Sequence, residues 1–162
     1  MDYPENKKSE KIYDRKTALL KAQKYCAYQE RSQQEVRDKL YEWGLHRNDV
    51  ENVLVDLIEE NFLNEERFAI AFARGKFRIK KWGKIKIKLE LKAHHVSSYC
   101  INKALSEIDD TAYISVLKEV IAKREKTIID KHPAKRKYKI ISYAVSRGFE
   151  ADLVKELLTD ME

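Results

Sequence analysis

The sequence predicts an all-α protein made of three tandem three-helix repeats, about nine helices, stacked into an elongated and curved molecule. Three observations predict this fold. Only four glycines and two prolines occur in 162 residues, which disfavours turn-rich barrels and sandwiches and favours helix. Apolar residues recur at the i, i+3, i+4, i+7 spacing of amphipathic helices along most of the chain. Finally, apolar and turn residues repeat at an interval of about fifty positions, which is typical of stacked helical repeats.

The first repeat is predicted over residues 17–62, after a polar N-terminal extension over residues 1–16. Ser32 and Glu35 have the spacing of a capping box, so they open the second helix. Gly44 is suited to end that helix, and Asn48 is predicted to start the third. The residues predicted to face inward are Ala18, Leu19, Ala22, Tyr25, Cys26, Val36, Leu40, Trp43, Val50, Val53, Leu54, Leu57 and Ile58.

The second repeat is predicted over residues 63–108. Asn64 is expected to cap the fourth helix, with Glu65 and Glu66 at its positive end. Ser97 or Ser98 is expected to start the sixth helix. The predicted inward residues are Phe68, Ala71, Phe72 and Ile79 in the fourth helix and Ile101, Ala104, Leu105 and Ile108 in the sixth.

The fifth segment, residues 84–93, has an ambiguous pattern. From Ile85 to Lys92 apolar and charged residues alternate strictly, which is the period of a half-buried strand. However, no second strand is predicted anywhere in the chain, and a lone strand leaves its backbone groups unpaired. Leucine, lysine and glutamate are also good helix formers. We therefore predict a helix with two opposed apolar faces.

The third repeat is predicted over residues 109–162. Asp109 or Asp110 starts the seventh helix, Pro133 lies in the first turn of the eighth, and Gly148 ends it. The predicted inward residues are Tyr113, Leu117, Val120, Ile121, Ile128, Tyr138, Ile141, Ala144, Val145, Leu153, Val154, Leu157, Leu158 and Met161.

The internal repeat is clearest near the end of the second helix of each group. The set Leu40, Gly44, Leu45, Val50, Leu54 and Leu57 recurs 51 positions later as Leu91, His95, Val96, Ile101, Leu105 and Ile108. It recurs again, shifted by 104, as Ala144, Gly148, Phe149, Val154, Leu158 and Met161. Such groups bury little surface alone and stack on their neighbours.

Positive charge is concentrated in one stretch of the chain. The net charge is +6 and the pI about 9.1, but Arg74–Lys92 holds nine cations and one acid, Glu90. A second basic stretch, Lys123–Lys139, is diluted by Glu125 and Asp130. This density indicates a polyanion partner, although a solvated helix face is the alternative. The predicted binding residues are Arg74, Lys76, Arg78, Lys80, Lys81, Trp82, Lys84, Lys86, Lys88, Lys92, Lys123, Lys126, Lys135, Arg136 and Lys137.

Aromatic residues in these stretches have two interpretations. Trp82 could stack on a base, as aromatic residues do in single-strand binders. Packing between repeats, with Gly83 permitting a close turn, is the interpretation we favour. For Tyr138 and Tyr143, core or rim packing is likewise favoured over base stacking.

Other motifs give little support for catalysis or metal binding. Cys26 and Cys100 lie on apolar stripes and are expected to be small buried hydrophobes rather than a disulfide. Adjacent His94 and His95 point in different directions on a helix, and no ligand partner stands at a suitable spacing. We therefore expect no metal, no cofactor and no enzymatic activity. Without a signal peptide or a long apolar run, the protein is expected to be cytoplasmic and not to bind membranes. It is also expected to be a monomer.

The motifs resemble those of the RecX family of bacterial recombinase regulators, from about Thr17 onward. The first repeat matches through Arg31, Ser32, Glu35, Leu40 and Gly44. The second matches the family's distinctive stretch through Leu63, Asn64, Glu65, Glu66, Arg67, Phe68 and Ala69, followed by Arg74 and Trp82-Gly83. Glu65 stands where the family more often has aspartate, and Ala93-His94-His95 replaces the usual basic residue and glycine.

The resemblance implies a function that the residues alone do not establish. Family members bind in the groove of the RecA filament on single-stranded DNA, and they restrain strand exchange, ATP hydrolysis and coprotease activity. The expected partners are a RecA-type recombinase filament and single-stranded DNA, with double-stranded DNA left open. The alternatives are a general nucleic-acid-binding protein without a recombinase partner, an adaptor that binds helical peptides, and a nuclease.

Overall fold

Residues 13–161, which the computed structural model describes, form nine α-helices and no strand. The predicted all-α fold is therefore confirmed. The helices are α1 Arg15–Tyr28, α2 Gln33–Glu42, α3 Arg47–Glu59, α4 Glu65–Arg78, α5 Lys84–Ala93, α6 Ser98–Ser106, α7 Asp110–Glu125, α8 Pro133–Ser146 and α9 Ala151–Asp160. Most of the predicted extension, residues 1–12, lies outside the described part.

Most predicted helix starts are confirmed by their capping hydrogen bonds. The side chains of Ser32, Asn64, Ser97 and Asp109 each accept a hydrogen bond from the backbone N–H three residues later, at 2.9–3.3 Å. The start of α3 at Asn48 is wrong. His46 is the N-cap residue and supplies no side-chain cap, because the tight turn at Gly44 already directs the chain into helix at Arg47.

The ambiguous fifth segment is a helix with two different apolar faces. One face buries Ile87 and Leu91 completely, and α5 packs on α6. On the opposite side Ile85 and Leu89 are 46% and 61% exposed. The strict alternation of apolar and charged residues in this segment therefore belongs to a helix with one buried and one solvent-exposed apolar face.

The chain divides into two compact units, with the boundary between Phe68 and Ala69 inside α4. In the first unit α1, α2 and α3 pack on one another around a continuous apolar core. Its fully buried side chains include Val36, Leu40, Val50, Val53 and Leu57. In the second unit α7 packs on α8 and α8 on α9. The division into three repeats is a sequence prediction that these two units do not test.

Several side chains predicted to face inward are exposed. On α4 the buried residues are Phe68, Ala69, Ala73 and Phe77, whereas Ala71 is exposed. Ile79, which follows the last residue of α4, is 77% exposed. On α8 the helix buries Ile140 and Ala144, so Tyr138 (72% exposed) and Val145 (41% exposed) were assigned wrongly. Ile58 and Met161 are also exposed. On α4 and α8 neighbouring apolar residues offered two possible stripes, and packing selected one, whereas Ile79 and Met161 lie just beyond the ends of their helices.

The repeated turn residues adopt one conformation three times. Gly44, His95 and Gly148 have positive φ values of 89°, 59° and 98°. After each, the next N–H donates to the carbonyl of Leu40, Leu91 or Ala144, at 3.1–3.2 Å. This 6→1 bond, with the accompanying 5→2 bond, is the Schellman motif. The 51- and 104-residue shifts of the sequence therefore correspond to equivalent helix ends.

Both cysteines are buried and unbonded to each other, as predicted. Burial raises the pKa of the Cys26 thiol to about 11, which suits a small core hydrophobe rather than a nucleophile. Among the nine described helices, none is long and apolar enough to cross a lipid bilayer.

Candidate nucleic-acid interface

The centre of the first basic stretch is the linker between α4 and α5, residues 79–83, which carries Trp82. The linker begins where α4 ends, and there the backbone N–H of Trp82 donates to the backbone carbonyl of Lys76 at 3.2 Å. Lys81 makes this turn possible by adopting a φ of 58°, a left-handed conformation that is uncommon outside glycine. The indole is therefore attached to a turn with a fixed backbone.

The same linker is bound to the turn between α8 and α9. The Gly83 N–H donates to the Arg147 carbonyl at 2.8 Å, and the Ile85 N–H donates to the Gly148 carbonyl at 3.0 Å. The Arg147 guanidinium in turn donates to the Lys80 carbonyl. A Cβ atom on Gly83 would lie well inside 3.0 Å of the Gly148 backbone. Close backbone contact between two glycines thus holds the basic linker in place.

Tyr113 of α7 completes this attachment. Its hydroxyl accepts a hydrogen bond from the Lys84 N–H at 3.0 Å and donates one to Glu150 Oε2 at 2.7 Å. The ring lies between Phe77 and Phe149, with centroids 5.9 and 5.3 Å away. Burial of the phenol raises its pKa far above the usual value. The start of α5 is therefore fixed by a buried, neutral hydroxyl.

Trp82 is contacted by cations from both flanking helices. The Lys76 ammonium of α4 lies 4.9 Å from the centre of the indole ring, and the Lys86 ammonium of α5 lies 4.4 Å from it. Each contact is worth roughly 0.5–1 kcal/mol at an exposed site. Within residues 13–161 no acidic side chain forms an ion pair with either lysine. The half-buried indole is therefore flanked by two lysine ammonium groups that form no ion pair with the described acidic residues.

The other cations of the first stretch fall into two groups. Three have acidic partners within the second unit: Arg74 pairs with Glu107 at 3.8 Å, Lys81 with Glu119 at 3.6 Å, and Lys84 with Asp110 at 3.8 Å. The second group is exposed and consists of Arg78, Lys80, Lys88 and Lys92. The structure thus separates cations that were equivalent in the sequence.

In the second basic stretch, the side chain of Arg136 is bonded within the protein itself. The Arg136 guanidinium donates to the carbonyls of Ile128, Asp130 and Glu125, at 3.0, 2.9 and 3.3 Å. These bonds hold the linker between α7 and α8. The remaining predicted residues are exposed: Lys123, Lys126, Lys135 and Lys137. Their role in binding remains a prediction.

Sequence reasoning missed the residues that position the linker. Tyr113 was assigned only to the core of the seventh helix, and Arg147 and Glu150 were not singled out. The available signal was the scarcity of glycine, since the chain has only four. Two of them, Gly83 in the first basic stretch and Gly148 at the end of α8, contact each other. Gly83 is required by the close approach of the Gly148 backbone, whereas the turn itself is made at Lys81, which has the positive φ.

The fold and the site define an all-helical protein in which α2, α5 and α8 end in equivalent turns and a fixed basic linker joins α4 to α5. Two sequence families match it: RecX, first three-helix domain, over residues 18–57, and RecX, second three-helix domain, over residues 64–105. Regulatory protein RecX of Prosthecochloris aestuarii is 30% identical over 148 residues, which span 91% of this chain and 95% of the relative. The chain therefore belongs to the RecX family of regulatory proteins.

More distant relatives agree with this assignment. Regulatory protein RecX of Streptococcus uberis is 29% identical over 132 residues, or 81% of this chain, which spans only half the length of that relative. The crystal structure of RecX from Lactobacillus salivarius superposes with a TM-score of 0.81 at 20% identity, covering 90% of this chain and 95% of the other. At that identity the superposition supports the fold alone.

Proposed function

We propose that this protein regulates homologous recombination and DNA repair by binding a RecA-type recombinase filament on single-stranded DNA. Binding inhibits strand exchange, ATP hydrolysis and coprotease activity, and the protein itself catalyses no reaction. Membership of the RecX family is the observation that carries the proposal.

The geometry supports a nucleoprotein target. Cations are concentrated on and around the linker between α4 and α5, which is hydrogen-bonded to the turn between α8 and α9. Several of these cations have no acidic partner among the described residues. Lysine and arginine contacts to phosphates give sequence-independent affinity that weakens as salt displaces them. A target that presents phosphates along its whole length suits such a surface.

The proposed mechanism is steric and competitive. The chain lies along the filament groove as a monomer, contacts neighbouring recombinase subunits, and occupies space that an incoming duplex or a repressor substrate would use. No covalent step is required.

The decisive experiment is the ATPase activity of a RecA-type recombinase on single-stranded DNA, with and without this protein. We expect a dose-dependent fall in ATP hydrolysis that weakens as salt is raised. Unchanged hydrolysis at saturating protein would refute the proposal. Binding to DNA without any effect on the recombinase would favour the alternative, a general nucleic-acid-binding protein.

A charge-reversal pair tests whether the basic linker is the contact surface. Lys80→Glu with Lys88→Glu changes two exposed residues of the first stretch and should remove most of the inhibition. Lys16→Glu with Lys24→Glu changes two exposed residues of α1 by the same charge and should leave inhibition within about twofold. Equal losses in both variants would mean that total charge, rather than this surface, governs inhibition.

A further inference from the structure

We propose that Trp82, Lys76 and Lys86 form a nucleotide-binding site for single-stranded DNA. The indole stacks on one base, and the two ammonium groups contact the phosphates on either side of it. This inference rests on the proposed function and names the place where the protein contacts the strand.

The first argument is the convergence of charge on one ring. Lys76 and Lys86 come from different helices, yet their ammonium groups lie 4.9 and 4.4 Å from the same ring centre. Two ammonium groups within 5 Å of one ring centre carry like charges that repel each other, and a nearby phosphate anion would relieve that repulsion. The neighbouring Arg74, Lys81 and Lys84 already have acidic partners, so they gain less from a phosphate.

The second argument is that the site is held in place before any ligand arrives. The Trp82 N–H is bonded to the end of α4, and Gly83 and Ile85 are bonded to the α8–α9 turn. The stem of Lys86 lies directly against Gly148, where an added Cβ would lie well inside 3.0 Å of the Lys86 Cβ. Because the backbone is held in place and the Lys86 stem is packed, less conformational entropy is lost when a nucleotide binds.

The third argument concerns the ligand. The indole is only half-buried, so a base can reach its ring if one lysine swings aside, and the flexible lysine can then contact the adjoining phosphate. A base–aromatic stack contributes more than a single exposed cation–π contact, so the exchange is favourable. Bases in a duplex are already stacked on each other. The ligand is therefore a single strand with accessible bases.

A matched pair of double variants tests the phosphate contacts. Lys76→Gln with Lys86→Gln and Lys81→Gln with Lys84→Gln each remove two charges from the same stretch. The first pair contacts the indole, whereas the second pair contacts acids, with the Lys84 ammonium also 4.8 Å from the centre of the Tyr113 ring. With a labelled oligothymidylate and fluorescence anisotropy, we expect the first pair to weaken binding about tenfold and to lower the salt slope by roughly 1.4. The second pair should weaken binding by about threefold or less.

Fluorescence of Trp82 tests the stack itself. In a Trp43→Phe background Trp82 is the only tryptophan, and its emission should be quenched as oligothymidylate binds. A strand of the same length made of abasic sites should bind about tenfold more weakly and leave the emission unchanged. Trp82→Leu should lose this preference for bases, and Trp82→Phe should retain part of it.

Two results would overturn the inference. One is equal loss of affinity in the two lysine pairs, and the other is unchanged Trp82 emission at saturating oligonucleotide. If the unsubstituted protein still inhibits the recombinase ATPase, either result leaves the proposed function standing and refutes only this site. An unsubstituted protein that neither binds the oligonucleotide nor inhibits the recombinase would refute both.

Discussion

The two basic stretches of this chain have similar charge but different partners. Arg74–Lys92 has nine cations in nineteen residues, and Lys123–Lys139 has eight in seventeen. In the first, two lysines contact an indole on a linker that glycine contacts hold in place. In the second, Arg136 binds three carbonyls of its own linker, and Lys139 pairs with Asp130 at 3.6 Å.

This difference shows that charge density alone does not identify a binding surface. A cation whose hydrogen bonds are satisfied inside the protein has little to gain from a phosphate. A cation beside an aromatic ring keeps its charge available; in the second stretch Arg124 lies over the ring of Tyr143, whereas in the first two lysines converge on one ring. The first stretch therefore has the features of a binding surface, and part of the second stabilises a loop. Four substitutions test this distinction.

The largest expected effect is that of Gly148→Ala, which disrupts the close contact between the α8–α9 turn and the first basic stretch. The new Cβ would meet the Lys86 Cβ and N well inside 3.0 Å, in a backbone with φ of 98°. Overpacking and left-handed strain together should lower the free energy of unfolding by about 3 kcal/mol. Urea unfolding followed by Trp82 fluorescence in the Trp43→Phe background measures it.

The matched control is Gly75→Ala in the interior of α4. A Cβ there has no neighbour within 4 Å, so the higher helix propensity of alanine should stabilise the protein by about 0.5–1 kcal/mol. If Gly148→Ala were as harmless as Gly75→Ala, the linker would not depend on the close contact of Gly83 and Gly148.

The second prediction tests Arg136 in the other basic stretch. Arg136→Ala removes three charge-assisted hydrogen bonds to carbonyls and should lower the free energy of unfolding by about 2–3 kcal/mol. Its effect on the affinity for single-stranded DNA should be about twofold or less. Exposed Lys135→Ala should leave stability within about 0.5 kcal/mol. A tenfold loss of DNA affinity at unchanged stability would show that Arg136 contacts the nucleic acid.

Much of the fold could be predicted because its signals are local. Helix caps depend on one side chain and a backbone N–H three residues away, so Ser32, Asn64 and Asp109 were correctly assigned. The Schellman turns follow from residue order at a helix end. Even the unusual α5 was predicted from propensity and the lack of a strand partner.

The remaining features depend on contacts between distant parts of the chain. Ile140 and Ile141 are equally apolar, and only packing in the second unit selects Ile140 for the core. The separation of Lys76 and Lys86 from Lys81 and Lys84 depends on Glu119 and Asp110 of α7, which no local pattern relates to the linker. The basic stretch was predictable, whereas its internal organisation required the tertiary structure.

The third prediction concerns Tyr113, which fixes the start of α5 beside the first stretch. Tyr113→Phe leaves the Lys84 N–H and Glu150 without their shared partner and should lower the free energy of unfolding by about 1–2 kcal/mol. The folded pKa of this phenol is raised above the usual 10.0. Above about pH 10 the unfolded state therefore loses the proton first, so stability falls as pH rises.

Comparison of the two proteins isolates this effect. Between about pH 9 and 11 the unfolding free energy of the unsubstituted protein should fall more steeply than that of Tyr113→Phe. Tyr99→Phe, at a site 69% exposed, should follow the unsubstituted protein. Parallel curves for all three proteins would mean that the Tyr113 hydroxyl is not shielded from solvent in the folded state.

The smallest effect is expected at His95, which ends the helix of the first stretch. Its φ of 59° requires a left-handed conformation that strains a side chain with a Cβ, whereas Gly44 and Gly148 occupy the equivalent turns without that strain. His95→Gly should therefore raise the free energy of unfolding by about 1 kcal/mol, and Gly44→Ala should lower it by a similar amount at the matching turn. Urea unfolding measures both. The two positions are 51 residues apart and share one backbone geometry, so the predicted changes in stability are equal and opposite. A loss of stability in His95→Gly would show that the two helix ends are not energetically equivalent.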